Sequence, residues 1–183
     1  MKRFIAILAL VVVLCSCEAS KSNEVAIPNG VTRSDEAARS DEAAAPNYRN
    51  FTVYDQNGAT VNLSDYIGMP IVLNFWATWC PPCVKEMPHF SKLDKETDEV
   101  LFFMINMTDG IAETPEKVKT YLEDSGLTFQ NVLLDLDSEA MREYEITAFP
   151  TTVFINDQGI ILDTKIGMLT EEQLRQGVAA LLE

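Results

Sequence analysis

Apolar positions along this chain follow two different spacings, and the changes between them predict strands that alternate with helices. Nearly continuous apolar runs are typical of strands buried on both faces, and three of them occupy residues 71–76, 100–106 and 131–135. Two further apolar segments are each interrupted by a Gly-containing turn, which predicts hairpins at residues 51–63 and 151–165. The strands are therefore of two kinds, interior and hairpin.

Signals for helix starts lie between these strands. Helices are predicted at residues 81–94 and 138–144. Thr114 followed by Pro115 has the pattern of an N-cap and a first helical residue, which predicts another helix. Thr170 and Gln173 have the spacing of a capping box, which predicts a last helix. This order of elements predicts an α/β fold with a mixed central sheet flanked by helices.

The N-terminus carries a separate pattern, a charged start and then an apolar run at residues 4–14. A membrane-spanning helix needs roughly 20 apolar residues, so this run is typical of an export signal. Its ending resembles the bacterial lipoprotein signal, which implies that the small Ser16 precedes a lipidated Cys17 and that Cys15 leaves with the signal. An ordinary secretory signal with incidental cysteines stays open as the alternative.

Small and charged residues without aromatics follow the apolar run, and a six-residue unit, Arg-Ser-Asp-Glu-Ala-Ala, occurs twice among them. Such a composition buries too little apolar surface to form a core, so we expect disorder. The sequence thus predicts a lipoprotein signal peptide at residues 1–16, a lipidated flexible tether at residues 17–47 and one domain at residues 48–183.

Charge and cysteine content narrow the function. The formal net charge of −14 argues against binding to nucleic acid and against electrostatic attraction to anionic lipid. With two of the four cysteines assigned to the signal, only Cys80 and Cys83 remain as thiols. Outside the cytosol such a pair can form a disulfide.

Cys80 lies where a buried strand is predicted to end and a helix to begin. Free backbone N–H groups and the positive end of the helix dipole favour a thiolate there, so Cys80 is the expected nucleophile of disulfide exchange. Cys83, one turn later, would attack the mixed disulfide and release the partner. Pro81 and Pro82 stiffen the helix start, and Trp79 would cover the site with apolar surface.

The Trp-Cys-Pro-Pro-Cys motif at residues 79–83 resembles the thioredoxin superfamily, and residues 74–88 resemble its membrane-anchored TlpA/ResA-type branch. The resemblance implies a thioredoxin fold with an N-terminal hairpin and a central helix–strand insertion at residues 114–135. It implies a thiol–disulfide oxidoreductase without cofactor. Residues 146–159 match the segment that carries the superfamily's cis-proline, which implies a cis bond before Pro150 opposite the dithiol.

Substrate contacts and proton transfer follow from the same resemblance. We expect substrate to contact Trp79, Pro81, Pro82, Phe149 and Pro150. Thioredoxins have a buried aspartate where this chain has Asn74, and we expect Glu86 to act instead as proton acceptor or pKa tuner for Cys83. A solvated helix carboxylate is the alternative for Glu86. The bulky Phe149, where many relatives have a smaller residue, would narrow or redirect substrate docking.

Other kinds of site fit the sequence less well. A zinc or iron–sulfur site needs about four ligands, whereas Cys80, Cys83 and His89 supply three, so we expect no metal. A superfamily peroxidase and a tethered, non-catalytic binding or chaperone module remain as alternatives. A disulfide that closes so short a loop would stabilise a binding module little.

The partners and the location are expectations from the resemblance. Pro-Pro between the cysteines offers no charge that would stabilise the reduced form, so we expect a reducing role. The resemblance implies an integral membrane electron donor and targets among exported proteins with oxidised cysteines, with apocytochrome c as a candidate. We expect a monomer anchored by lipid on the extracytoplasmic, periplasmic side of a membrane.

Overall fold

The computed structural model describes residues 45–183, which form a seven-stranded mixed sheet with helices on both faces. The strands are β1 Thr52–Asp55, β2 Thr60–Asn62, β3 Ile71–Trp76, β4 Leu101–Asn106, β5 Asn131–Leu134, β6 Thr151–Ile155 and β7 Ile161–Ile166. The helices are α1 Pro81–Glu96, α2 Pro115–Ser125, α3 Glu139–Glu143 and α4 Glu171–Leu181. The predicted α/β class with a mixed sheet is confirmed.

The strand order is β2-β1-β5-β4-β3-β6-β7. Strand β3 is parallel to β4 and antiparallel to β6, and β4 is parallel to β5. Because the carboxyl ends of β3, β4 and β5 point to one edge of the sheet, the segments that follow these strands meet there. The predicted dithiol follows β3 and therefore lies at this edge.

Each interior strand contributes to two hydrophobic cores, which explains the continuous apolar runs. In β3, Val72 and Trp76 pack with α1, α2 and α4 on one face of the sheet. Ile71, Leu73 and Phe75 pack with α3 on the other face. Successive side chains of a strand point to opposite faces, so a strand covered on both sides needs apolar residues at nearly every position.

The helix starts follow their local signals. Thr114 is the N-cap of α2, its side chain accepts a hydrogen bond from the Lys117 N–H, and Pro115 is the first residue. Both hydrogen bonds of the capping box between Thr170 and Gln173 are present. Several predicted strand bounds differ by one residue from those in the structure. At one of them, the fully buried Leu63 begins a short 3₁₀ helix.

The predicted signal peptide, the predicted lipid site at Cys17 and the tether up to residue 44 lie outside the described residues. Asn47, which we assigned to the end of the tether, contacts the domain: its N–H donates to the Gly159 carbonyl at 3.1 Å, and its Oδ1 accepts from the Ile161 N–H at 2.7 Å. Within residues 45–183, every helix is too short or too polar to cross a membrane.

Candidate active site

The two cysteines lie at the N-terminus of α1 and are joined by a disulfide bond. Cys80 is the N-cap residue, and the Cys83 N–H points at its Sγ at 3.3 Å. Pro81 and Pro82 occupy the first two helical positions, where the backbone needs no N–H donor. The site therefore places two cysteines, which can exchange electrons by forming and breaking a disulfide, at the helix end that has free backbone N–H groups.

Little of the disulfide is accessible to solvent. Cys80 is 4 % exposed and Cys83 is fully buried. Trp79, directly before the pair, is 55 % exposed. Of the two cysteines, only Cys80 keeps any surface that a partner could approach.

Trp79, directly before Cys80, and Phe149, directly before Pro150, form an apolar rim. The ring of Phe149 lies edge-on to that of Trp79, with centroids 5.9 Å apart. The peptide bond between Phe149 and Pro150 is cis, which confirms the prediction for this segment. The Pro150 carbonyl accepts a hydrogen bond from the Gly167 N–H at 2.8 Å, which holds the loop of the half-exposed Met168 beside it.

Glu86 lies on α1, three residues after Cys83, and is fully buried. Its carboxylate accepts hydrogen bonds from Asn74 Nδ2 at 2.8 Å and from the Leu169 N–H at 2.7 Å. Burial raises the pKa of Glu86 to about 7, and the two hydrogen bonds oppose this only in part. The alternative of a solvated helix carboxylate is therefore wrong.

Asn74 occupies the interior of β3 and is fully buried beside Glu86. Its Nδ2 also donates to Thr152 Oγ1 at 3.2 Å. Its Oδ1 has no hydrogen-bond partner among the described residues. Because an amide does not titrate, Glu86 is the titratable member of this pair.

Glu113 is a second buried carboxylate near the dithiol, and no sequence pattern predicted it. It accepts three short hydrogen bonds, from the Thr78 N–H at 2.7 Å, from Thr78 Oγ1 at 2.6 Å and from Asn106 Nδ2 at 2.7 Å. Glu113 lies in an irregular segment before α2, where no local pattern marks it. The parallel order of β3 and β4 is the signal that could have found it, because residues after both strands meet at one edge.

His89 stands apart from this site. It is partly exposed on α1, and its Nδ1 lies 3.9 Å from Glu171 Oε2. Among residues 45–183, no three His, Cys, Asp or Glu side chains form a group that could hold a metal ion.

Comparisons with known proteins show a matching family and similar solved structures. The model of the AhpC/TSA family matches residues 43–164. Thiol-disulfide oxidoreductase ResA of Bacillus subtilis (strain 168) is 33% identical over 127 residues, which are 68% of this chain and 68% of that protein. The crystal structure of StoA from Bacillus subtilis has 32% identity and a TM-score of 0.62, and the match covers 70% of this chain and 96% of that one.

A further match is the structure of the pneumococcal exposed lipoprotein thioredoxin Etrx1 from Streptococcus pneumoniae strain TIGR4. It has 28% identity and a TM-score of 0.60, and the match covers 72% of this chain and 99% of that one. The matched structures confirm the thioredoxin-like fold that the sequence predicted.

Proposed function

The chain belongs to the AhpC/TSA family and is a thioredoxin-like thiol–disulfide oxidoreductase of the ResA and StoA type, and from this premise we propose that Cys80 and Cys83 reduce disulfides of exported proteins. One observation carries the proposal. The only disulfide among residues 45–183 lies at a helix N-terminus, where Cys80 keeps 4 % of its surface exposed and Cys83 is fully buried.

Cys80 acts first, as the nucleophile. In the reduced protein its thiolate attacks one sulfur of the target disulfide, the target S–S bond breaks, and a mixed disulfide with Cys80 forms. The departing target sulfur leaves as a thiolate and takes a proton from solvent. The Cys83 N–H that points at Cys80 Sγ and the helix dipole favour the thiolate form.

Cys83 completes the exchange. Its thiol gives up a proton, and the resulting thiolate attacks Cys80 Sγ, which releases the target as a second thiolate. Two electrons have then passed from the dithiol to the target. We assign the Cys83 proton to Glu86, because a group with a pKa near 7 can both accept and release a proton at neutral pH.

Asn74 suits both protonation states of Glu86. It donates through Nδ2 to the carboxylate. A half-turn of its amide would present Oδ1, which lacks a partner among residues 45–183, to the O–H of the protonated acid. The buried carboxyl would then have a side-chain hydrogen-bond partner before and after proton transfer.

The apolar rim is the proposed docking surface. Trp79 and Phe149 flank the approach to Cys80, and the backbone before the cis-Pro150 would pair with an extended segment of the target. The Pro81–Pro82 turn would contact the same segment. Phe149 narrows this approach, which favours targets whose residues beside the cysteine are small.

The proposal also includes the location of the protein and the direction of electron transfer. Residues 1–16 would be removed as a signal, Cys17 would carry lipid, and residues 17–47 would tether the domain of residues 48–183 on the extracytoplasmic, periplasmic side of a membrane. The lipoprotein named in a matched structure supports this anchor. A membrane protein would supply electrons, and apocytochrome c is a candidate target. The uncharged Pro81–Pro82 pair supports the reducing direction.

Trapping the mixed disulfide tests the roles of the two cysteines. We expect Cys83→Ser to accumulate mixed disulfides with target proteins, because the resolving thiol is gone, and Cys80→Ser to accumulate none. The measurement is non-reducing electrophoresis and mass spectrometry, with the double Cys80→Ser, Cys83→Ser variant as the matched control. Trapping only by Cys80→Ser would reverse the roles, and a folded wild-type protein without turnover would favour a binding module.

A further inference from the structure

We propose that Glu113 is a positioning residue that fixes the segment between β3 and Cys80 and so sets the place of the nucleophilic sulfur. The inference rests on the proposed function of the dithiol. The inference is based on three hydrogen bonds of 2.6–2.7 Å. Glu113 accepts two of them from Thr78 and one from Asn106.

Glu113 can hold another segment because its own segment is fixed. The carboxylate of Asp109 accepts hydrogen bonds from the Ile111 N–H at 2.8 Å and from the Glu113 N–H at 2.9 Å. The Glu113 carbonyl accepts from the N–H groups of Asp109 and Gly110. The next residue, Thr114, is the N-cap of α2. The side chain of Glu113 therefore projects from a closed turn that ends on a helix.

Thr78 connects this turn to the dithiol. It lies two residues before Cys80, whose N–H donates to the Ala77 carbonyl at 3.2 Å. Ala77, before Thr78, is fully buried in the core, whereas Trp79, after it, is 55 % exposed. The backbone and hydroxyl bonds to Glu113 hold Thr78 itself, between the buried Ala77 and the first cysteine.

Removing the carboxylate would leave polar groups without partners. Asn106 is fully buried, and its amide and the Thr78 N–H would both lose an acceptor. A buried donor without a partner is costly, so the segment would shift or admit water. Misplacement of a reacting group by about 1 Å can slow a reaction by about a hundredfold.

Glu113→Gln separates position from charge. The glutamine oxygen can accept from the Thr78 N–H and from Asn106, and its amide can donate to the Thr78 hydroxyl, which can rotate to accept. The three contacts are kept while the negative charge is lost. Glu113→Ala removes both. Asp94→Ala is the matched control, because Asp94 is also buried and accepts a backbone N–H but lies toward the far end of α1 from the cysteines.

The experiment measures three quantities for the full chain and each variant: the rate of exchange with a small aromatic disulfide, the reduction potential against a dithiothreitol buffer, and the melting temperature. We expect Glu113→Ala to slow exchange by about tenfold or more and to shift the potential. We expect Glu113→Gln to stay within about threefold of wild type, and Asp94→Ala to lower the melting temperature without changing rate or potential.

The outcomes separate the inference from the proposed function. The exchange rate of the wild type is measured first, because it tests the proposed function by itself. The inference is overturned if Glu113→Ala resembles Asp94→Ala, or if Glu113→Gln is as slow as Glu113→Ala, since charge would then matter and not position. Should Glu113→Ala fail to fold, Thr78→Val removes the hydroxyl contact alone. We then expect exchange slowed by about threefold, and an unchanged rate overturns the inference.

Discussion

Helix α1 carries two buried carboxyl groups, Glu86 and Asp94, that look alike at first sight. Burial raises the pKa of both, and each accepts a backbone N–H, from Leu169 at 2.7 Å and from Gln130 at 2.8 Å. They are eight residues apart, which is about 12 Å along a helix. Glu86 follows Cys83 by three residues, whereas Asp94 lies near the other end of the helix.

The two carboxyl groups differ in whether a neighbouring side chain can adjust when the carboxyl gains or loses a proton. Glu86 has a side-chain partner, Asn74, whose amide can rotate to meet the acid or the carboxylate. Asp94 joins the end of α1 to the segment before β5 through the backbone N–H of Gln130, and the Gln130 side chain donates to the Asp94 carbonyl. The proposed role of Glu86 therefore rests on its place one turn after Cys83 and on its partner Asn74, and not on its raised pKa alone.

Glu86→Gln should produce the largest change in this comparison. The folded pKa of Glu86 is about 7, against 4.5 for the free group, so the folded state binds more protons between these values. The contribution of Glu86 to the stability of the oxidised wild type should then fall as pH rises from about 4.5 to 7, by about 3 kcal/mol in all. Glutamine cannot titrate, so the variant should lack this fall. Urea unfolding across that pH range measures it.

The rate of disulfide exchange provides a second test of Glu86→Gln. The resolving step of the wild type should change with pH around 7, and the variant should lose that change while still forming mixed disulfides. An identical pH profile in wild type and variant would remove Glu86 from proton transfer and leave it a role in stability alone.

Asn74→Asp should have the next largest effect. The change puts a second carboxyl within hydrogen-bond distance of Glu86, where two like charges cannot both be ionised without cost. We expect a loss of about 2 kcal/mol in the free energy of unfolding at pH 8 and a smaller loss at pH 5, where the pair shares a proton. Asn74→Leu is the uncharged control. Equal losses at both pH values would show that the two carboxyls do not interact.

Asp94→Asn should have the smallest effect. An amide oxygen can still accept from the Gln130 N–H, so we expect a loss of about 1 kcal/mol in the free energy of unfolding. Exchange rates and their pH dependence should match wild type, because Asp94 lies about three turns from Cys83. Stopped-flow exchange with a small disulfide measures this. A shifted pH profile in this variant would break the distinction between the two carboxyls.

Local signals predicted much of the fold and part of the site. The N-caps of α2 and α4 and the interior strands follow from a few neighbouring residues, and the structure has them where the sequence placed them. Cys80 and Cys83 were found by their spacing. Glu86 was found by its place after the motif, but one of its hydrogen-bond donors, the Leu169 N–H, comes from a distant segment. Glu113 was missed because its partner, Thr78, is 35 residues away in the chain.

The interior position of β3 has a consequence for the choice of target. With β4 on one side and β6 on the other, this strand is a rigid template, and only 4 % of Cys80 is open to solvent. The adaptation needed to align three sulfur atoms must then come from the other molecule. Under the proposed function, an unfolded target chain would meet that demand, while a disulfide packed inside a folded domain would not.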